Sequence, residues 1–175
     1  MKAAMFEAFE EQYVRPKPGR TLIVGSKIYA TRSDRRQLHS NALGIDMLPG
    51  EGVDYVWNLE QPPPDELGYF DHIECLSVLE HSKRPWALAK NVIRMLVRGG
   101  TFFIAVPFVW RVHAYPDDYW RFSTSAVRSL FPDIAWVKLC YANTKLTEDF
   151  RIPNTTIDEQ LYFMRTEVYG FGHLS

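Results

Sequence analysis

One polar loop carries a heavy load of reactive and aromatic side chains. Residues 113–123, HAYPDDYWRFS, follow the apolar run TFFIAVPF and bring together a histidine, two adjacent aspartates, an arginine and four aromatic rings. A plain connector would use glycine, serine and asparagine. Imidazole is the side chain whose unperturbed pKa lies nearest neutrality, which suits His113 as a general base taking a proton from a hydroxyl or an amine. Asp117 and Asp118 can bind a substrate amine or hydroxyl. Tyr115, Tyr119 and Trp120 can stack on a sugar or aromatic ring, or lie near a cation. The segment therefore reads as one wall of a ligand site. A structural reading stands beside it, in which Arg121 pairs with Asp117 or Asp118 to brace the loop while Trp120 and Phe122 plug the core.

Other chemistry-bearing residues sit where apolar runs end. TLIVGS (21–26), NALGIDM (41–47), VDYVWNL (53–59), FDHIECL (70–76) and TFFIAVP (101–107) read as buried strands. Gly25 and Ser26 leave the first, Asp46 the second, Asn58 and Leu59 the third, and Ser77 follows the fourth. Helices separate or flank them. Residues 2–13 space Met5, Phe6, Phe9 and Tyr13 on one face, and SDRRQLHS (33–40) suits a short helix. A longer helix begins at Pro85 and is expected to stop at Gly99-Gly100. Thr124 to Phe131 form another, capped by Ser123 or Thr124. IAWVKLCYA (134–142) and LYFMRTEVYGF (161–171) complete the strands. Strands and helices that alternate in this way imply a mostly parallel sheet covered on both faces. Ligands of such sheets bind at the carboxyl ends of the strands, so these polar residues converge on one crevice. Asp71, at the start of its strand, lies at the far end and is read as structural.

Composition sets the limits. The chain has 175 residues, 46% hydrophobic and 23% charged, with a formal net charge of −1. That suits one domain, residues 1–175, with an N-terminal helix (1–14), a core (20–142) and a last strand (160–171). The balanced charge argues against nucleic-acid binding by bulk electrostatics. Cys75 and Cys140 lack metal-ligand spacing and read as reduced core thiols, and no metal site is expected. With no signal-like or membrane-spanning run, the expected location is the cytoplasm, away from membranes.

The run FDHIECLSVLEHSKRPWALAKNVIRMLVRGGTFFIAVPF, continued by H-x-Y-P-D-D-Y-W-R-F-S, resembles class I S-adenosylmethionine (SAM)-dependent methyltransferases. In particular it is similar to small type 11-like members of bacterial sugar and natural-product pathways. The resemblance extends over about residues 20 to 140. It implies a Rossmann-like sheet of seven strands, the last inserted antiparallel between the fifth and sixth, with SAM as cofactor. By resemblance, Asp46 accepts hydrogen bonds from the ribose hydroxyls and Asn58 stands for the aspartate that meets the adenine amino group. Gly25, Ser26, Leu59 and Ser77 complete the cofactor contacts, with Leu79 close by. The implied function is in-line methyl transfer to a small-molecule or glycan-type acceptor, with His113 as base and Tyr115, Asp117 and Asp118 on the substrate. A homo-oligomer is compatible with this reading.

The first loop departs from the pattern. The family places a glycine-rich loop after strand one, whereas this chain reads VGSKIYATR, with Ile28 and Tyr29 where small residues are expected. Either the loop takes another path or it partly fills the cofactor pocket. The alternative function is thus a non-catalytic methyltransferase-like binding domain with lost or altered SAM binding. A nicotinamide-dependent oxidoreductase would need G-x-G-x-x-G here, which the loop does not supply.

Overall fold

A computed structural model describes residues 2–14, 18–29, 33–113, 117–142, 146–147 and 167–175. The chain begins with α1 (Lys2–Phe9), which runs into a π-helical turn (Glu10–Val14). Then follow β1 (Thr21–Val24), a 3-10 turn (Arg35–Leu38), β2 (Ala42–Asp46), β3 (Tyr55–Val56) and β4 (Phe70–Leu76). A 3-10 turn (Leu79–His81), α2 (Pro85–Arg94), β5 (Leu96–Pro107), α3 (Thr124–Leu130), β6 (Ile134–Ala142), β7 (Leu146–Thr147) and β8 (Glu167–Leu174) complete it.

The strands form one sheet in the order β3-β2-β1-β4-β5-β8-β6-β7. The pairs β3–β2, β2–β1, β1–β4 and β4–β5 are parallel, while β8 lies antiparallel between β5 and β6. This is the doubly covered Rossmann-like sheet expected from the sequence, last strand included. The two-residue β7 adds an eighth strand, antiparallel at the edge of β6.

Because central parallel strands are covered on both faces, they are apolar on both. One face of the sheet buries Leu22, Val24, Ile73, Cys75, Phe102, Ile104 and Val106 beneath Leu88, Ala89 and Val92 of α2 and Val127 of α3. The other buries Phe103, Ala105, Tyr169 and Phe171 beneath Phe9 of α1. There the Phe9 ring stacks on Phe103 with centroids 5.6 Å apart and meets Tyr169 edge-on at 5.5 Å. Ser123 caps α3, its Oγ accepting from the Ala126 amide at 3.2 Å.

Three boundaries differ from the sequence expectation. Helix α2 stops at Arg94, not at Gly99-Gly100, because the Met95 carbonyl accepts from the Phe70 amide at 2.8 Å and draws the chain into β5. The glycines then lie inside β5, where pairing jumps from Phe70↔Leu96 to His72↔Thr101 and Gly99 takes φ 75°. β3 is shorter than residues 53–59 because Asn58 turns the chain, its Oδ1 accepting from the Glu60 amide at 2.9 Å. β8 runs to Leu174, and residues 161–166 of the expected last strand lie outside the described ones. No helix among the described residues is long and apolar enough to cross a membrane.

Candidate cofactor and substrate site

The carboxyl ends of β1, β2 and β4 open on a cavity of about 550 Å3. Val24, Ile45, Trp57, Leu59 and Leu88 give it an apolar lining, broken by a few polar groups. That mixture is what a small-molecule site needs.

Two backbone positions shape its floor. Gly25 takes φ 70°, and a Cβ there would come within 2.5 Å of Val78 Cγ2. Ser77 has φ 55°, the left-handed region that a residue with a side chain enters at a cost. Such strain gathers where a site over-determines the backbone.

Asp46 leaves β2 facing the cavity. Its Oδ1 accepts from the Leu48 amide at 2.9 Å and its Oδ2 from the Lys27 amide at 3.3 Å. Each oxygen keeps a further lone pair for a ligand donor. Asn58, Leu59 and Ser77 also line the cavity, Leu59 fixed by a 2.8 Å bond from Asn91 Nδ2 to its carbonyl. Ser26 does not line it. Its amide is bonded to the Ile45 carbonyl, and its Oγ is buried against Gly44. Leu79 is fully buried.

The first loop takes another path. Ile28 packs against Gly52 and its amide donates to the Glu51 carbonyl at 2.9 Å, so it leaves the cavity clear. Tyr29 does stand on the cavity wall.

The loop after β5 also contributes to the lining of the cavity. His113, Asp117 and Tyr119 line it, together with His81 and Lys83, which the sequence did not single out as ligand-facing. The imidazole of His113 meets that of His81 edge-on, centroids 4.9 Å apart. Both neighbours of His113 Nδ1 are acceptors: Asp118 Oδ2 at 3.1 Å and the Arg111 carbonyl at 3.3 Å. That assigns the ring proton to Nδ1 and leaves the lone pair on Nε2. Glu80, whose side chain is 1% exposed, lies 3.9 Å from that Nε2.

Asp118 is not free for substrate. Arg121 grips it with Nη1 at 2.5 Å and Nη2 at 2.8 Å, and the His113 amide donates to it at 2.8 Å. The guanidinium holds its carboxyl well below the usual carboxylate range, against the opposing effect of burial. Of the two partners foreseen for Arg121, the chain uses Asp118. Asp117 instead accepts from Tyr119 Oη at 2.6 Å, which pushes the phenol up to about 12. The Asp117 carbonyl lies 2.6 Å from His81 Nδ1.

Trp120 corrects the sequence reading. It is 38% exposed rather than a core plug; its Nε1 donates to the Ser82 carbonyl at 2.8 Å and its ring meets Trp86 edge-on. Phe122, 4% exposed, is the residue that enters the core. Tyr115 lies outside the described residues.

No family model and no curated protein matches the chain. Solved structures do match. A putative methyltransferase of Haloferax volcanii, solved in complex with the Trm112 methyltransferase activator, shares 16% identity at TM-score 0.66 over 99% of this chain and 90% of its own. The 1,6-didemethyltoxoflavin-N1-methyltransferase of Burkholderia thailandensis shares 14% at 0.64, over 99% and 79%. The N-methyltransferase NodS of Bradyrhizobium japonicum, in complex with S-adenosyl-L-homocysteine, shares 11% at 0.62, over 99% and 85%. The chain has the fold of class I SAM-dependent methyltransferases.

Proposed function

We propose that this protein is a SAM-dependent methyltransferase acting on a small-molecule or glycan-type acceptor. The observation that carries the reading is that Asp46 and His113 line one cavity at the carboxyl ends of the strands of a methyltransferase fold. The residues present fit the cofactor. Gly25 leaves backbone bare where a Cβ would collide, and Asp46 keeps acceptor capacity for two hydroxyl donors. Asn58 and Ser77 add polar groups, and Leu59 apolar surface.

When bound, SAM supplies an electrophilic methyl group on a sulfonium. The chain's own residues do the rest. The apolar lining keeps water from the reacting line, and the walls hold the acceptor in register, which is where most of the acceleration of a two-substrate transfer originates. His113 Nε2 takes the proton that the acceptor hydroxyl or amine releases. Asp118 keeps that imidazole in the Nδ1–H form and fixes the direction of the ring. Asp117, Tyr119 and Lys83 offer hydrogen bonds to a polar acceptor at the rim. This wall suits a small polar molecule, and the net charge of −1 offers no field for nucleic acid.

Tyr29 on the cavity wall favours one other reading, a domain that binds ligand without turnover. Formation of S-adenosylhomocysteine from SAM over a panel of small amines, phenols and sugars tests the proposal. Acceptor-dependent product that vanishes in His113→Ala supports it. SAM binding with no product from any acceptor supports the non-catalytic reading.

A further inference from the structure

We propose that His39, His72 and Glu74 form a binding site for a divalent first-row transition metal of the zinc class, on the face of the sheet opposite α2. The inference does not depend on methyl transfer. Strand β4 alternates its side chains across the sheet, sending Ile73 and Cys75 into the core under α2. His72 and Glu74 point to the other face, and their side chains are 2% and 0% exposed. His39, on the turn beyond the Arg35–Leu38 segment, folds over them with a side chain 3% exposed.

The donor atoms converge. His39 Nε2 lies 2.9 Å from Glu74 Oε1, and His72 Nε2 lies 3.4 Å from the same oxygen. One ligand atom from each of the three residues falls within 4.8 Å of the others. Donors bound to one zinc at about 2.1 Å, at tetrahedral or octahedral angles, stand about 2.9–3.4 Å apart. Two imidazoles and a carboxylate are also a donor set that such ions favour.

Three further observations point to a cation. His72 Nε2 is buried, and its contact with Glu74 Oε1, at 3.4 Å, is too long and poorly aimed to satisfy it as a hydrogen bond. A metal uses the Nε2 lone pair, while the other nitrogen, His72 Nδ1, is already held 2.5 Å from Thr101 Oγ1. Metal-ligating histidines are anchored by such a contact through the second ring nitrogen. Finally, Arg35 binds Glu74 Oε2 at 2.6 Å and also pairs with Glu10, so one guanidinium faces two carboxylates. Bound there, the ion ties the segment after β1 and, through Arg35 and Glu10, the N-terminal helix to the central strand.

The test is a titration of the chelator-treated full chain with Co2+, followed by its visible ligand-field absorption. We expect one equivalent to bind, with affinity weakened at least about tenfold in His39→Ala and in Glu74→Gln. Binding should be unchanged in His113→Ala. Circular dichroism establishes that each variant is folded, and His39, which is on a turn rather than in the sheet, is the least disruptive ligand to remove. Folded wild-type protein that takes up no Co2+ would overturn the proposal. So would binding lost in His113→Ala but kept in His39→Ala, which would put the ion at the Glu80, His81 and His113 cluster beside the cavity.

Discussion

His113 Nδ1 stands 3.1 Å from Oδ2 of Asp118, a carboxylate that Arg121 grips at the same time with both terminal nitrogens. The pair gives the loop after β5 two roles in six residues: one ring that faces the cavity, and one buried anion that decides which of its nitrogens carries the proton. His113→Ala is expected to lower methyl transfer by about a hundredfold or more, with SAM affinity nearly intact. Asp118→Asn should cost about tenfold or more, and should also move the pH profile of kcat. Turnover unchanged in both variants would reduce the loop to a wall.

The two large aromatics that follow separate on stability. Phe122→Ala removes a buried ring and should cost about 3–5 kcal/mol, seen as a much lower Tm. Trp120→Ala removes a half-exposed indole and one hydrogen bond to the Ser82 carbonyl, and should cost about 1–2 kcal/mol. Equal losses in thermal denaturation would contradict the burial difference.

Acid stability tests the Asp118–Arg121 pair. The folded pKa of Asp118 is depressed below its unfolded value, so the folded state is favoured by the ionised form. The contribution is full above about pH 5 and fades as pH falls through about 4 and below, where the unfolded chain takes up the proton first. Asp118→Asn should therefore flatten the acid limb of a Tm-against-pH curve and leave its slope near neutrality unchanged. An identical acid limb in the variant would show that the pair does not stabilise the loop.

Gly25→Ala tests the cavity floor. A side chain at φ 70°, colliding with Val78, should lower stability by about 1–3 kcal/mol and weaken SAM binding. A variant with wild-type Tm and affinity would mean that the turn after β1 does not need its glycine.

Much of this was legible in the sequence because its signals are local. Short β-branched apolar runs bounded by glycine, proline and asparagine mark β1, β2, β4 and β6, and the rule that ligands gather at strand carboxyl ends put Gly25, Asp46, Asn58, Ser77 and His113 around one crevice. Properties fixed by partners distant in the chain were not legible. Gly99-Gly100 looked like a helix stop, but the Phe70 amide captures Met95 first and turns the glycines into a strand irregularity. Trp120 looked like a core residue because aromatic character does not say which way a side chain turns. Ser26 was expected among the cofactor contacts, but its hydroxyl is buried in the space that the missing Gly44 side chain leaves, and it is absent from the cavity lining. The approach of His39 to His72 and Glu74 had one available signal, a polar H-x-E pair inside an otherwise apolar central strand, where parallel sheets are normally apolar on both faces.

The central claim is that the cavity beside Asp46 holds SAM, and calorimetric titration of SAM into the wild-type chain and Asp46→Ala tests it most directly. Charge-assisted hydrogen bonds are worth about 1.5–3 kcal/mol each, so the wild type should bind SAM and the variant, still folded but with a lower Tm for want of the Leu48 and Lys27 amide bonds, should bind it about tenfold to a hundredfold more weakly. No heat of binding in the folded wild type, or equal affinity in the two proteins, would contradict the account.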